Sequence, residues 1–222
     1  MKALCLALAL LWPAIVAAQG ARPDINRPFL VNPDVERWSK GLEREDREVY
    51  AKRNEILAAT GVKPGMAVAD VGSGSGLFTR LFARAVGPGG RVYAVDISRE
   101  LLEHVARTAK KEGLDNVITV LDTATDTKLP ESSVDLVYIC DTYHHFEQPG
   151  PVLASIRKAL RAGGRMVVVD YERIPGVTPP SRIEHLRLDK QTAIGEIEAA
   201  GFRLIEERKL MRENYFVVFQ RL

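Results

Sequence analysis

Apolar and polar positions change rhythm several times along the chain. Short, nearly continuous apolar runs recur at 66–71, 91–96 and 117–121, then in a run ending near Cys140, at 166–170 and at 215–220. Their length and their bracketing by glycine, proline and small polar residues mark them as strands. Between them the apolar positions fall at helical steps: Leu77, Leu81, Phe82 and Ala85, then Leu102, Val105, Ala106 and Ala109, then a run at 151–160 and another ending at Ala200. Gly87–Gly90 and Gly113 are the stops. Val35, Trp38, Leu42, Val49, Ile56 and Leu57 predict helix over 35–60. Strand and helix in alternation predict an α/β chain with a parallel sheet. The last two strands, one beginning at Gly201-Phe202 and one at 215–220, are too close for a parallel crossover, which needs a dozen residues or more. They form a hairpin. The expected sheet is therefore seven-stranded and mostly parallel, with one antiparallel strand at its C-terminal end.

The first eighteen residues differ from all that follow. Lys2 is the single charge, 3–18 carries none, and Val16-Ala17-Ala18 offers small residues in the manner of a cleavage site. The pattern predicts a secretory signal peptide over 1–18, too short for a comfortable membrane span, with Gln19 as the mature N-terminus and a periplasmic destination; the alternatives are an uncleaved anchor, or a misassigned start and a cytoplasmic protein. Cys5 leaves with it, so Cys140 has no disulfide partner. Segment 19–60 reads as a proline-bearing arm (Pro23, Pro28, Pro33) followed by the helical stretch, and 61–222 as one domain. Lys and Arg number 31 against 29 Asp and Glu, without a basic block, which argues against a nucleic-acid surface and leaves a small molecule as the expected partner.

The candidate chemistry centres on 68–80, a strand, a glycine loop and a helix start. Glycine lets the backbone approach a nucleotide-like ligand closely. Gly72, Gly74 and Gly76 are spaced G-x-G-x-G, and Leu77 stands where a dinucleotide fingerprint needs its third glycine. With Asp70 the stretch resembles the D-x-G-x-G-x-G motif of the class I S-adenosylmethionine-dependent methyltransferases. Asp96 ends the second strand 20 positions after Gly76, where a carboxylate can take both ribose hydroxyls of an adenosine. The resemblance extends through Leu129-Pro130 and Ser133-Val134-Asp135-Leu136-Val137, through Asp141-Thr142-Tyr143-His144-His145-Phe146, and through an Ala162-Gly163-Gly164 turn where the family has proline for Ala162. It implies S-adenosylmethionine as cofactor, held by Asp70, Gly72, Ser73, Gly74, Gly76, Asp96, Ile97 and Asp141, with Asp122 and Thr123 on the adenine. It also implies an N-terminal helix across the site, where Trp38 or Tyr50 can close it; the alternative is a helix simply packed on the sheet edge.

Methyl transfer from a sulfonium is an in-line displacement whose leaving group needs no proton, so positioning and exclusion of water are the main tasks. A hydroxyl or amine acceptor gains from a base, and Asp141, His144 and His145 stand where the fourth strand opens onto the pocket. One of two adjacent histidines ordinarily faces away. Glu184 and His185 join the substrate side if the loop after strand five folds over it. A catechol-type metal site would pair Asp141 with Asp170 and an asparagine. Tyr171 follows Asp170 instead, so no metal is expected. Cys140 reads as a small core residue, and one cysteine is too few for the arsenite-methylating relatives. The competing reading is an exported S-adenosylmethionine- or nucleoside-binding module that has lost catalysis; an NAD-linked oxidoreductase is opposed by Leu77 and the final hairpin.

Overall fold

The computed structural model describes residues 24–176 and 178–222; the expected signal segment, 1–18, lies outside them. Short helices α1 (Arg27–Leu30), α2 (Val35–Leu42), α3 (Glu48–Ala51) and α4 (Arg53–Ala59) lead into β1 (Ala67–Val71), α5 (Leu77–Val86), β2 (Arg91–Asp96), α6 (Arg99–Lys111), β3 (Val117–Leu121) and β4 (Val134–Cys140). After a 3-10 turn at Tyr143–His145 come α7 (Pro149–Ala159), β5 (Leu160–Tyr171), α8 (Pro180–His185), α9 (Lys190–Ala199), β6 (Phe202–Arg208) and β7 (Asn214–Arg221). The seven strands form one sheet in the order β3-β2-β1-β4-β5-β7-β6. β7 inserts between β5 and β6 and runs antiparallel to both, as the short 6–7 connection requires.

The strands read as continuous apolar runs because both faces are covered. Alternate residues feed two cores. Ala69, Val71, Val137, Ile139 and Val168 meet Leu153, Ile156 and Ile197 of α7 and α9. Val68, Leu136, Tyr138, Val167 and Val169 meet Ile56, Phe78, Phe82 and Val86 of α4 and α5. Because β1 lies between β2 and β4, helices leave it to opposite sides, and a crevice opens at the carboxyl ends of these strands.

Four local expectations are corrected. The 35–60 stretch is three helices: Asp34 caps α2 through the Arg37 amide at 3.0 Å, and the break after Leu42 lets Arg47 turn inward to Asp141 at 2.5 Å. On α5 the predicted Leu77 and Phe82 are buried and Leu81 packs partly buried against the same core, but Phe78, Ala83 and Val86 join them and Ala85 does not, with the Tyr138 ring 4.6 Å from Phe78 and 5.2 Å from Phe82. On α6, Ala106 is exposed and Leu101 buried. The Gly163-Gly164 turn is absorbed into β5 as a register shift, with Val134 opposite Leu160 and Leu136 opposite Arg165.

Candidate functional site

The crevice at the β1–β4 switch point is a partly roofed cleft, at the place where such sheets take small ligands. Of the sequence-predicted residues, Gly72, Gly74, Asp96, Ile97, Asp122, Thr123, Asp141 and His145 line it. Asp70, Ser73, Gly76 and His144 support it from behind. Asp70 is buried and accepts from the Thr79 hydroxyl at 2.6 Å, tying β1 to α5 under the glycine loop. Gly76 begins α5, and a Cβ there would lie 2.9 Å from Val105, so it lets α5 approach α6. At Gly72 the backbone is left-handed, with φ +74°, and a Cβ would fall 2.3 Å from the Thr142 side chain.

Gly72→Ala is accordingly expected to lower stability by about 1–3 kcal/mol. Gly65→Ala is the control, sharing a positive φ with open space around it. In chemical denaturation Gly72→Ala is expected to be the less stable of the two. Equal losses would mean that the approach of Thr142 costs nothing.

Asp96 shapes the loop as well as facing the cleft. One carboxylate oxygen accepts from the Gly74 amide and the other from the Ser98 amide, each at 2.9 Å. Each oxygen keeps a second lone pair for a ligand. Asp122 lines the cleft with a buried Oδ1 that finds no hydrogen-bond partner among the described residues. A buried acceptor without a donor is costly unless a ligand supplies one. Burial, then the negative charge of Asp96, pushes Asp122 up to about 8; burial likewise brings Asp70 to about 7. Both carboxyls therefore hold protons in the ligand-free fold that an unfolded chain releases near 4. Between those limits the folded state binds more protons, so stability falls as pH rises. Thermal melting of the ligand-free protein is expected at lower temperature at pH 8 than at pH 5, with a flatter profile in Asp122→Asn and Asp70→Asn. A profile unchanged in both variants would contradict this.

Opposite the loop, Asp141 has left-handed φ (+48°), and both its oxygens are engaged, by Arg47 at 2.5 Å and by Asn214 at 2.6 Å. His144 lies behind the wall, with Nδ1 2.7 Å from Asp170. Burial opposes charge on both partners, yet their attraction prevails: His144 is held above the usual imidazole range and Asp170 below the usual carboxylate range. His145 is pushed down to about 3, by burial first and then by His144 and His185. Burial also raises the Cys140 thiol well above its usual range, which leaves it an inert part of the lining.

The residues that sequence reasoning missed come chiefly from the arm. Asn26, Phe29, Leu42, Thr142 and Glu147 line the cleft. Asn26 donates to the His145 carbonyl at 3.1 Å and to Glu147 at 2.9 Å, strapping the arm across. The aromatic closing the site is Phe29, backed by Trp38 at 4.6 Å between ring centres; Tyr50 packs under Arg53 and lies outside the lining.

Residues 69–168, from β1 into β5, match the family model described as a methyltransferase domain. Over that stretch the chain is similar to the S-adenosylmethionine-dependent methyltransferases. The cofactor of such enzymes, S-adenosylmethionine, fits what the cleft presents: a glycine loop with no room for a Cβ at Gly72, a two-amide-held carboxylate at Asp96 and an orphaned acceptor at Asp122. Over 121 residues the methyltransferase domain is 31% identical to the ubiquinone/menaquinone biosynthesis C-methyltransferase UbiE of Burkholderia vietnamiensis, covering 53% of this chain and 48% of that protein. The match thus spans about half the length of such curated relatives. A S-adenosylmethionine-dependent methyltransferase from Aquifex aeolicus superposes with a TM-score of 0.75 at 23% identity, over 85% of this chain and 99% of that one. The 4+2 cyclase SpnF shares the fold at a TM-score of 0.64 and 15% identity, over 78% of this chain and 86% of its own. Among the described residues no helix is long and apolar enough to cross a membrane.

Proposed function

We propose that this chain transfers the methyl group of S-adenosylmethionine to a small-molecule acceptor. The observation that carries the reading is one continuous cleft. It joins Asp122 and Asp96, the glycine loop, and a far wall of Thr142 and His145 roofed by Asn26 and Phe29 of the arm. In this reading Asp122 and Thr123 take the adenine, Asp96 the ribose hydroxyls, and Gly72–Gly76 the methionine portion.

S-adenosylmethionine, when bound, supplies a methyl carbon on a sulfonium whose departure as a thioether needs no proton. The chain's task is to hold an acceptor in line and to exclude water, and the roof of Asn26 and Phe29 serves both. Asp141, held by Arg47 and Asn214, orients the wall. Of the two candidate bases, His144 with Asp170 behind it is the stronger proton acceptor, while His145 is the one that lines the cleft. A cleft roofed by Asn26 and Phe29 favours a small acceptor over a macromolecule.

The test is formation of S-adenosylhomocysteine by the chain from Gln19 onward against a panel of small hydroxyl, amine, thiol and carbon acceptors. Turnover with at least one supports the reading. Tight S-adenosylmethionine binding with no turnover across the panel would favour a catalytically silent binding module. We also propose export through 1–18, on the pattern of that segment. N-terminal sequencing of the protein from its native host is expected to begin at Gln19, and a chain beginning at Met1 would contradict it.

A further inference from the structure

Three histidines from two distant segments meet at the cleft wall: His144 and His145 on the 3-10 turn after β4, and His185 at the end of α8. One potential ligand atom from each lies within 4.8 Å of the other two. The ring centres stand 4.3 Å (His144–His145), 5.1 Å (His144–His185) and 5.1 Å (His145–His185) apart.

The hydrogen bonds behind two of the rings fix where their lone pairs point. Asp170, an acceptor, lies 2.7 Å from His144 Nδ1. Asn26 Oδ1 lies 3.2 Å from His145 Nδ1, and the Asn26 amide cannot be reversed without losing the donors that Nδ2 gives to the His145 carbonyl and Glu147. In the neutral rings that ligate a metal, both Nδ1 atoms therefore carry the proton, and both Nε2 atoms present lone pairs. A carboxylate or amide oxygen behind each imidazole is the arrangement that orients metal-bound histidines and raises their basicity.

His145 Nε2 and His185 Nε2 are 3.4 Å apart. That is long for a hydrogen bond between ring nitrogens. It equals the separation of two ligand nitrogens in a tetrahedral zinc site, about 3.3–3.4 Å for bonds of about 2.0–2.1 Å.

We propose that His144, His145 and His185 form a three-imidazole site for a divalent late first-row transition-metal ion of the zinc type. Three nitrogen donors without a carboxylate in the inner set select such ions over magnesium or calcium. Three protein ligands leave a tetrahedral ion one open position. The expectation of no metal weighed only the Asp141–Asp170 carboxylate arrangement, and this donor set is a different one. Since His145 lines the cleft, the ion stands at its wall, where the open position can take an acceptor hydroxyl or thiol. That last role rests on the methyl-transfer reading; the ion site itself does not.

The test uses the chain from Gln19 onward, made without a histidine tag, stripped with chelator and dialysed against zinc or cobalt(II). One ion per chain is expected by elemental analysis, with the intense visible bands of tetrahedral cobalt(II). His185→Ala, at the end of a short peripheral helix, is expected to lose stoichiometric binding while keeping its far-UV circular dichroism and its S-adenosylmethionine affinity. Asn26→Ala, which removes the oxygen behind His145 together with the amide donors to the His145 carbonyl and Glu147, is expected to weaken the ion by about 10–100-fold. A wild-type chain that binds S-adenosylmethionine but retains no ion would overturn the site, as would undiminished retention by His185→Ala or a weak octahedral cobalt spectrum. Because the ion is counted directly, failure of the methyl-transfer reading leaves this result standing, and the reverse holds too.

Discussion

Asp96→Ala is expected to weaken S-adenosylmethionine binding by at least about 100-fold. Two ribose hydroxyls donating to one carboxylate make two hydrogen bonds to a charged group, each contributing about 1.5–3 kcal/mol, and a factor of ten in affinity corresponds to about 1.4 kcal/mol. The loss has a second part, because the same oxygens hold the amides of Gly74 and Ser98. Truncation frees both amides and loosens the loop that the ligand approaches. Asp96→Asn keeps the shape and one acceptor, so it is expected to fall between wild type and alanine in a calorimetric titration. Wild-type affinity in Asp96→Ala would remove Asp96 from the ligand's contacts.

Glu196→Ala is expected to destabilise the fold by about 3–5 kcal/mol, because it strands a buried charge. Glu196 on α9 receives Arg187 through two contacts of 2.7 Å, and the Tyr143 hydroxyl at 3.0 Å. Both members of the ion pair are almost wholly buried, with side-chain exposures of 4% for Arg187 and 2% for Glu196. The pair fastens the segment after α8, with Leu186 and Leu188, to the turn that carries the two adjacent histidines. Replacing both partners by apolar residues of similar size, Arg187→Met with Glu196→Leu, is expected to recover much of the loss, since a buried pair roughly offsets its own desolvation. Urea denaturation measures both, and a loss under about 1 kcal/mol in Glu196→Ala would show the pair to be solvated in solution.

What could be read from the residues was what is local. Apolar runs and helical spacings placed the seven strands and the helices between them, because burial on one face or two imposes those periods wherever the chain lies. The glycine loop and Asp96 were legible for the same reason: a turn of fixed geometry joins them to strands whose ends line up in any parallel sheet. Contacts between distant segments were not. Arg47 meets Asp141 across 94 positions and Asn26 meets Glu147 across 121, and neither pairing leaves a period in the sequence. The arm residues Asn26 and Phe29 therefore read as linker, although Leu42 stood within a helical pattern. On α5 the stripe of Leu77, Leu81 and Phe82 holds, and what it did not reveal is Phe78, which meets the Tyr138 ring arriving from β4. His185 was placed on the substrate side, but its meeting with His145 depends on how the segment after β5 folds back.

The most direct test of the account is calorimetric titration of S-adenosylmethionine into the chain from Gln19 onward. The account predicts saturable binding at one site per chain, abolished or weakened at least about 100-fold by Asp96→Ala. A wild-type chain that is folded and shows no heat of binding would contradict it.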